Sequence, residues 1–126
     1  MKPKAIDIGI KIDEGKLHAL YLPIEKIQIS EIISNADICY LEKERTDDWN
    51  LSPNELINNF NKEISHAKRV NAVDLSFPVY IFKHDGNWII LDGVHRFTKA
   101  LMQNNKSILV KKVPKELVNS IANHKS

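Results

Sequence analysis

Asp92, Gly93, His95 and Arg96 sit between two runs of different periodicity, and that placement suits them to hold a phosphate group. Trp88-Ile89-Ile90-Leu91 is a short continuous apolar run, the pattern of a covered strand. Phe97, Ala100 and Leu101 then recur at helical spacing, so residues 91–96 predict a turn from strand into helix. Gly93 lets the backbone approach a ligand because it has no Cβ. Behind it, the Gly93 and Val94 backbone opens a helix whose unpaired N–H groups and positive dipole end attract an anion. Arg96 adds a planar fork that matches phosphate geometry. His95 can donate to a phosphate or move a proton near neutral pH. Asp92 can accept a proton from a substrate hydroxyl or hold Mg²⁺ beside bound phosphates. Each residue also has a plain structural reading: Asp92 as a helix cap, Arg96 as a surface ion pair, His95 as a packed imidazole.

Other ionisable side chains extend or compete with this group. Lys99 lies one turn beyond His95 and three residues after Arg96, on the same helical face, as a basic rim or a solvated lysine. His66 and Arg69 fall near the end of an earlier predicted helix, where cations suit the negative dipole end. Glu42, Glu44, Asp47 and Asp48 read as a solvated loop more readily than as a metal cluster. His18, His84 and His124 are too scattered for zinc spacing.

The segment from His66 to Val113 resembles the ParB/sulfiredoxin-like superfamily. Three blocks carry the likeness: His66-Ala67-Lys68-Arg69 with Ala72 to Val79; Trp88 to Leu91 with Asp92-Gly93-Val94-His95-Arg96-Phe97-Thr98-Lys99-Ala100-Leu101; and the strand Ile108 to Val113. The likeness is to small stand-alone ParB-like proteins, in which an arginine precedes an "ADLSYP" block and a "DGMHRxxKAL" motif follows. It implies a compact α+β domain with a small mixed sheet flanked by helices. It also implies a nucleotide, ATP/ADP or CTP with Mg²⁺, bound at the glycine-containing turn by residues 93–96 with Lys99 and Arg69. Sulfiredoxins carry a cysteine where this chain has Val94, so peroxiredoxin repair is not expected. Partition proteins have Arg-Arg where His95-Arg96 stand here, and carry a DNA-binding helical domain for which no length remains. A free-serine kinase of this fold uses an aspartate before the glycine together with an upstream glutamate. Asp92 matches the first, and Glu31, after the predicted strand Ile24 to Ile29, is the candidate for the second. The resemblance therefore implies phosphoryl transfer or nucleotide hydrolysis with Asp92, His95 and Glu31 as catalytic residues and an acceptor that it does not name. The alternatives are a non-catalytic nucleotide-sensing or DNA-associated regulator, working as a homodimer, and a protein-interaction module with a decayed pocket.

Composition bounds these readings. The chain has 126 residues, 43% hydrophobic and 27% charged, enough for one core and one domain over 1–126. A net charge of +2 is too mild to argue for nucleic-acid binding. One cysteine, Cys39, precludes an internal disulfide and fits a reducing compartment. The basic start Met1 to Lys4 has no long apolar run behind it, so the expectation is a cytoplasmic protein without a membrane partner.

The positioning elements read as follows. Ile6, Ile8, Ile10 and Ile12 alternate with polar residues as a strand, Asp13 to Lys16 turns, and Leu17 to Leu22 returns as a hairpin partner. Residues 42–50 form a loop that Trp49 anchors. Ser52, Pro53 and Glu55 open a helix whose stripe, Leu56, Ile57, Phe60, Ile64 and Ala67, runs it through Ala67. Asp74 fixes the loop before the strand Val79 to Phe82, and Asp85-Gly86 makes a hairpin into Trp88 to Leu91. The motif helix ends near Gln103, the strand Ile108 to Val113 follows, and Pro114 starts a last helix to about Ala122.

Overall fold

A computed structural model describes residues 1–123; His124 lies outside them. The fold is α+β, built on a four-stranded mixed sheet in the order β1-β4-β2-β3. β1 (Glu25–Gln28) runs antiparallel to β4 (Ser107–Val113), β4 runs parallel to β2 (Val79–His84), and β2 pairs antiparallel with β3 (Asn87–Asp92). The parallel register sets Val79 opposite Val110 and Phe82 opposite Val113, so β2 lies inside the sheet and its first four residues are buried. Asp85 and Gly86 both take positive φ, 49° and 81°, the geometry that the Asp-Gly hairpin predicts.

Both faces of the sheet are covered. On one, Val79, Ile81, Ile90 and Val110 pack against Phe97 and Ala100 of α4 (Val94–Met102) and against Ile32 and Ala36 of a 3-10 helix, Ile29–Asp37. On the other, Tyr80 and Val113 meet Leu17 and Ile121, while Phe82 and Ile89 meet Ile6. α2 (Pro53–Asn58) and α3 (Ile64–Ala72) lie against α4, with Leu51, Leu56 and Val70 as a satellite core. Among the described residues no helix is long and apolar enough to cross a membrane.

Four expectations are corrected. The alternating isoleucines do not form a strand: Lys4–Ile6 is a 3-10 turn, Gly9 turns with φ of 80°, and only Ile12 bridges Ala122. Ile6 is instead laid across the face of the sheet. The predicted return strand is a helix at its start, α1 (Glu14–His18), because the Asp13 carboxylate caps it by accepting from Lys16 N–H at 3.1 Å. The single helix from Ser52 is two. Ser52 and Glu55 form the predicted capping box, but the Asn59 side-chain amide donates to the Glu55 carbonyl at 2.9 Å and the helix stops there. Past Pro114 the expected helix is a pair of 3-10 turns, Lys115–Leu117 and Asn119–Ile121.

The outer edge of β3 is closed by side chains rather than by a strand. Ile90 N–H donates to the Tyr40 hydroxyl at 2.8 Å, and Asn35 donates to the Trp88 carbonyl at 2.9 Å. Tyr40 in turn donates to Asn35 Oδ1, and burial raises its phenol pKa. Tyr40→Phe leaves a sheet N–H without its partner, and urea unfolding is expected to show a loss of about 1–3 kcal/mol.

Candidate functional site

β3 ends at Asp92, Gly93 turns the chain with φ of 103°, and α4 starts at Val94. No side chain caps α4, so its first N–H groups stay open to a ligand. Asp92 is therefore not the cap. Its Oδ2 lies 3.3 Å from the Arg96 guanidinium and 2.8 Å from Nε2 of His18 on α1. Gly93 is required on two counts. Its φ suits glycine, and a Cβ there would stand 3.0 Å and 3.1 Å from Arg96 nitrogens and 3.2 Å from the Val79 Cα. The guanidinium thus folds over the turn, and its Nε is buried with no hydrogen-bond partner among the described residues.

A cleft of about 470 Å³ opens over this turn. His66 and Arg69 of α3 line it with His95 and Arg96, forming a basic wall. Glu14, Glu42, Asp47 and Asp48 line it as an acidic rim, together with Tyr40 and Trp49. The His66 and His95 rings stack at 5.2 Å, and Nδ1 of His66 lies 2.9 Å from Nε2 of His95. His66 Nε2 donates to the Glu42 carbonyl at 2.6 Å. Burial above all, and then the charges on Arg69, His66 and Arg96, push His95 down from 6.5 to about 4, against a smaller upward pull from Asp92.

The structure brings together Arg69, Asp92, Gly93, Val94, His95 and Arg96, and it separates two other candidates from them. Lys99 donates to the carbonyls of Val73 at 2.8 Å and Asn71 at 3.3 Å, at the C-terminal end of α3, where a cation suits the dipole. Glu31 accepts from Gln28 N–H at 3.2 Å and caps the 3-10 helix instead of facing the cleft. Asp74 accepts from Ser76 N–H at 2.9 Å and so does fix its loop. Among the described residues no three acidic, histidine or cysteine side chains form a metal-holding group. Of the rim carboxylates, Asp48 takes Trp49 N–H at 2.8 Å and the Met1 ammonium; Glu44, outside the cleft lining, caps α3 at Ser65 N–H, 2.6 Å away.

His18, Tyr40, Glu14 and Trp49 were not among the sequence candidates. Asp13 followed at once by Glu14 is a helix-start signal that would have placed His18 and Glu14 on one short helix. No local signal marks Tyr40, whose role depends on a strand fifty residues away.

No family model, curated protein or solved structure matches the chain. The fold and cleft define it as an α+β domain with an anion-suited turn between β3 and α4.

The lowered pKa of His95 carries a sign. The unfolded chain takes a proton near 6.5, whereas the folded chain resists it to about 4. Stability due to neutral His95 is therefore present above pH 6.5 and is lost as pH falls toward 4. Discounted for contact with water in the cleft, the loss is about 2 kcal/mol. Urea unfolding of wild type and His95→Gln at pH 7 and pH 4.5 should show that much less pH dependence in the variant.

Proposed function

We propose that the cleft binds the phosphate groups of a nucleotide, ATP/ADP or CTP, and that the chain transfers or hydrolyses a phosphoryl group. One observation carries this reading: among the described residues, the partly buried Arg96 guanidinium has a single 3.3 Å contact to Asp92 and an unpartnered Nε, with the uncapped end of α4 beside it. Buried donors without partners are costly, and an anion in the cleft relieves that cost. Arg69 adds a second cation to the same wall. The volume fits a small molecule, and the resemblance of 66–113 to the ParB/sulfiredoxin-like superfamily favours a nucleotide.

Asp92 Oδ2 is taken by His18 and Arg96, while Oδ1 has no hydrogen bond among the described residues. That oxygen is free to accept a proton from an acceptor hydroxyl. It also fits Mg²⁺, which commonly needs only one or two carboxylates beside the phosphate oxygens. The ion would neutralise phosphate charge; the protein's part is to position the phosphates on Arg96, Arg69 and the α4 amides. The acidic rim opposes a nucleic-acid backbone along the cleft, so DNA is not the favoured partner.

Thermal unfolding with ATP, ADP, CTP, GTP and AMP, with and without Mg²⁺, tests binding. A ligand at a hundredfold its Kd adds about 2.7 kcal/mol, a rise on the order of 10 °C for a domain of this size. The rise should appear with one of these nucleotides and vanish in Arg96→Ala; no rise with any of them overturns the reading. Asp92→Asn should retain binding and lose turnover by about a hundredfold or more, whereas equal turnover removes Asp92 as base.

A further inference from the structure

The two stacked imidazoles admit few proton arrangements. The Glu42 carbonyl can only accept, so His66 Nε2 carries a proton. With His66 neutral, its Nδ1 is a lone pair, and the 2.9 Å contact then requires the proton on Nε2 of His95. His95 Nδ1 is left bare, with no hydrogen bond among the described residues. A proton added to His66 would reverse this, but His66 is buried, and Arg69, three residues on in α3, lines the same wall. Asp92 and Glu44 are the nearby acids, and each is already paired, with Arg96 and with Ser65. Burial and the two arginines hold His95 neutral well below pH 7.

We infer that His66 is a positioning residue that fixes His95 as a hydrogen-bond acceptor toward the cleft, so that the ligand there carries a donating hydroxyl as well as a phosphate. The inference rests on the phosphate reading above and narrows it to hydroxyl-bearing phosphates. It also changes the part of His95: a bare Nδ1 repels phosphate oxygen, and the phosphate falls to Arg69, Arg96 and the α4 amides. The hydroxyl stands between that phosphate and the bare nitrogen.

Two measurements on the full chain test this. Long-range proton–nitrogen correlation on ¹⁵N-labelled protein at pH 7 should show both histidines neutral with the proton on Nε2. A proton on His95 Nδ1 overturns the inference. His66→Asn, whose Oδ1 can still accept from His95, should keep the His95 tautomer, and His66→Phe should let it mix; a pure Nε2–H tautomer in His66→Phe removes His66 from the role.

Calorimetric titration then compares glycerol 3-phosphate with n-propyl phosphate, which matches it in length and lacks its hydroxyls. Wild type should prefer the glycerol ester at least fivefold, and His95→Phe should lose that preference while binding propyl phosphate within threefold of wild type. Equal binding of both esters by wild type overturns the inference and leaves the phosphate site standing. Binding of neither overturns both.

Discussion

The missing Cβ of Gly93 is what allows the Arg96 guanidinium to lie across the β3–α4 turn, 3.0 Å from where that carbon would be. The Val79 Cα of β2 stands on the other side, so the turn is closed by a neighbouring strand as well as by its own helix. Because β2 is an inner strand, fixed by β3 on one side and β4 on the other, the turn cannot relax outward without disturbing the sheet. The position of Arg96 is thereby set by backbone, which moves little, rather than by contacts to other long side chains. Asp92 and the first turn of α4 inherit their places from the same constraint.

Charge is distributed around that turn in an unequal way. Arg69, Arg96 and two histidines share one wall, and only Asp92 stands among them as a counter-charge. Of the acids on the rim, Asp48 is occupied by the Met1 ammonium and Trp49 N–H, while Glu44, outside the cleft lining, is held by the α3 N-terminus. Desolvation makes this arrangement more consequential than the same residues would be in water, since buried charges are poorly screened. His95 answers by staying neutral, the cheaper state for an imidazole beside two guanidinium groups.

The second half of the chain was far more legible than the first. From Ser52 onward the start of α2, the Asp-Gly hairpin, β3, α4 and β4 follow local rules of capping, turn chemistry and periodicity, and the turn with Asp92, Gly93, His95 and Arg96 follows with them. Those rules failed where tertiary context decides. The alternation of Ile6 to Ile12 is the pattern of a strand, but Ile6 packs on the face of the sheet with Phe82 and Ile89, and the β3 edge is taken by Tyr40 and Asn35. Lys99 shares a helical face with His95 by spacing, yet the C-terminus of α3 lies within its reach and claims it. Arg69 and His66 had no local mark beyond their place on a helix; the packing of α3 on α4 brings them to the cleft. Glu31 shows the converse, since its carboxylate is consumed three residues away by a capping contact that any chain of this local sequence could make.

Two features of the cleft work against the stability of the folded chain. α4 begins without a side-chain cap, and Arg96 Nε has no hydrogen-bond partner among the described residues. Each of these costs on the order of 1 kcal/mol or more, and the sheet and its two covered faces must supply the difference. They are not spread over the molecule: both lie on residues 93–96, which line the cleft. A domain can tolerate one local defect of this kind for reasons of packing alone. Donors left unmet at both Arg96 and the start of α4, around one cleft and complementary to negative charge, are more economically explained by something that occupies it. The N-terminal half then has its place in the argument, because Tyr40 holds the strand that leads to the turn and His18 holds Asp92 at its end.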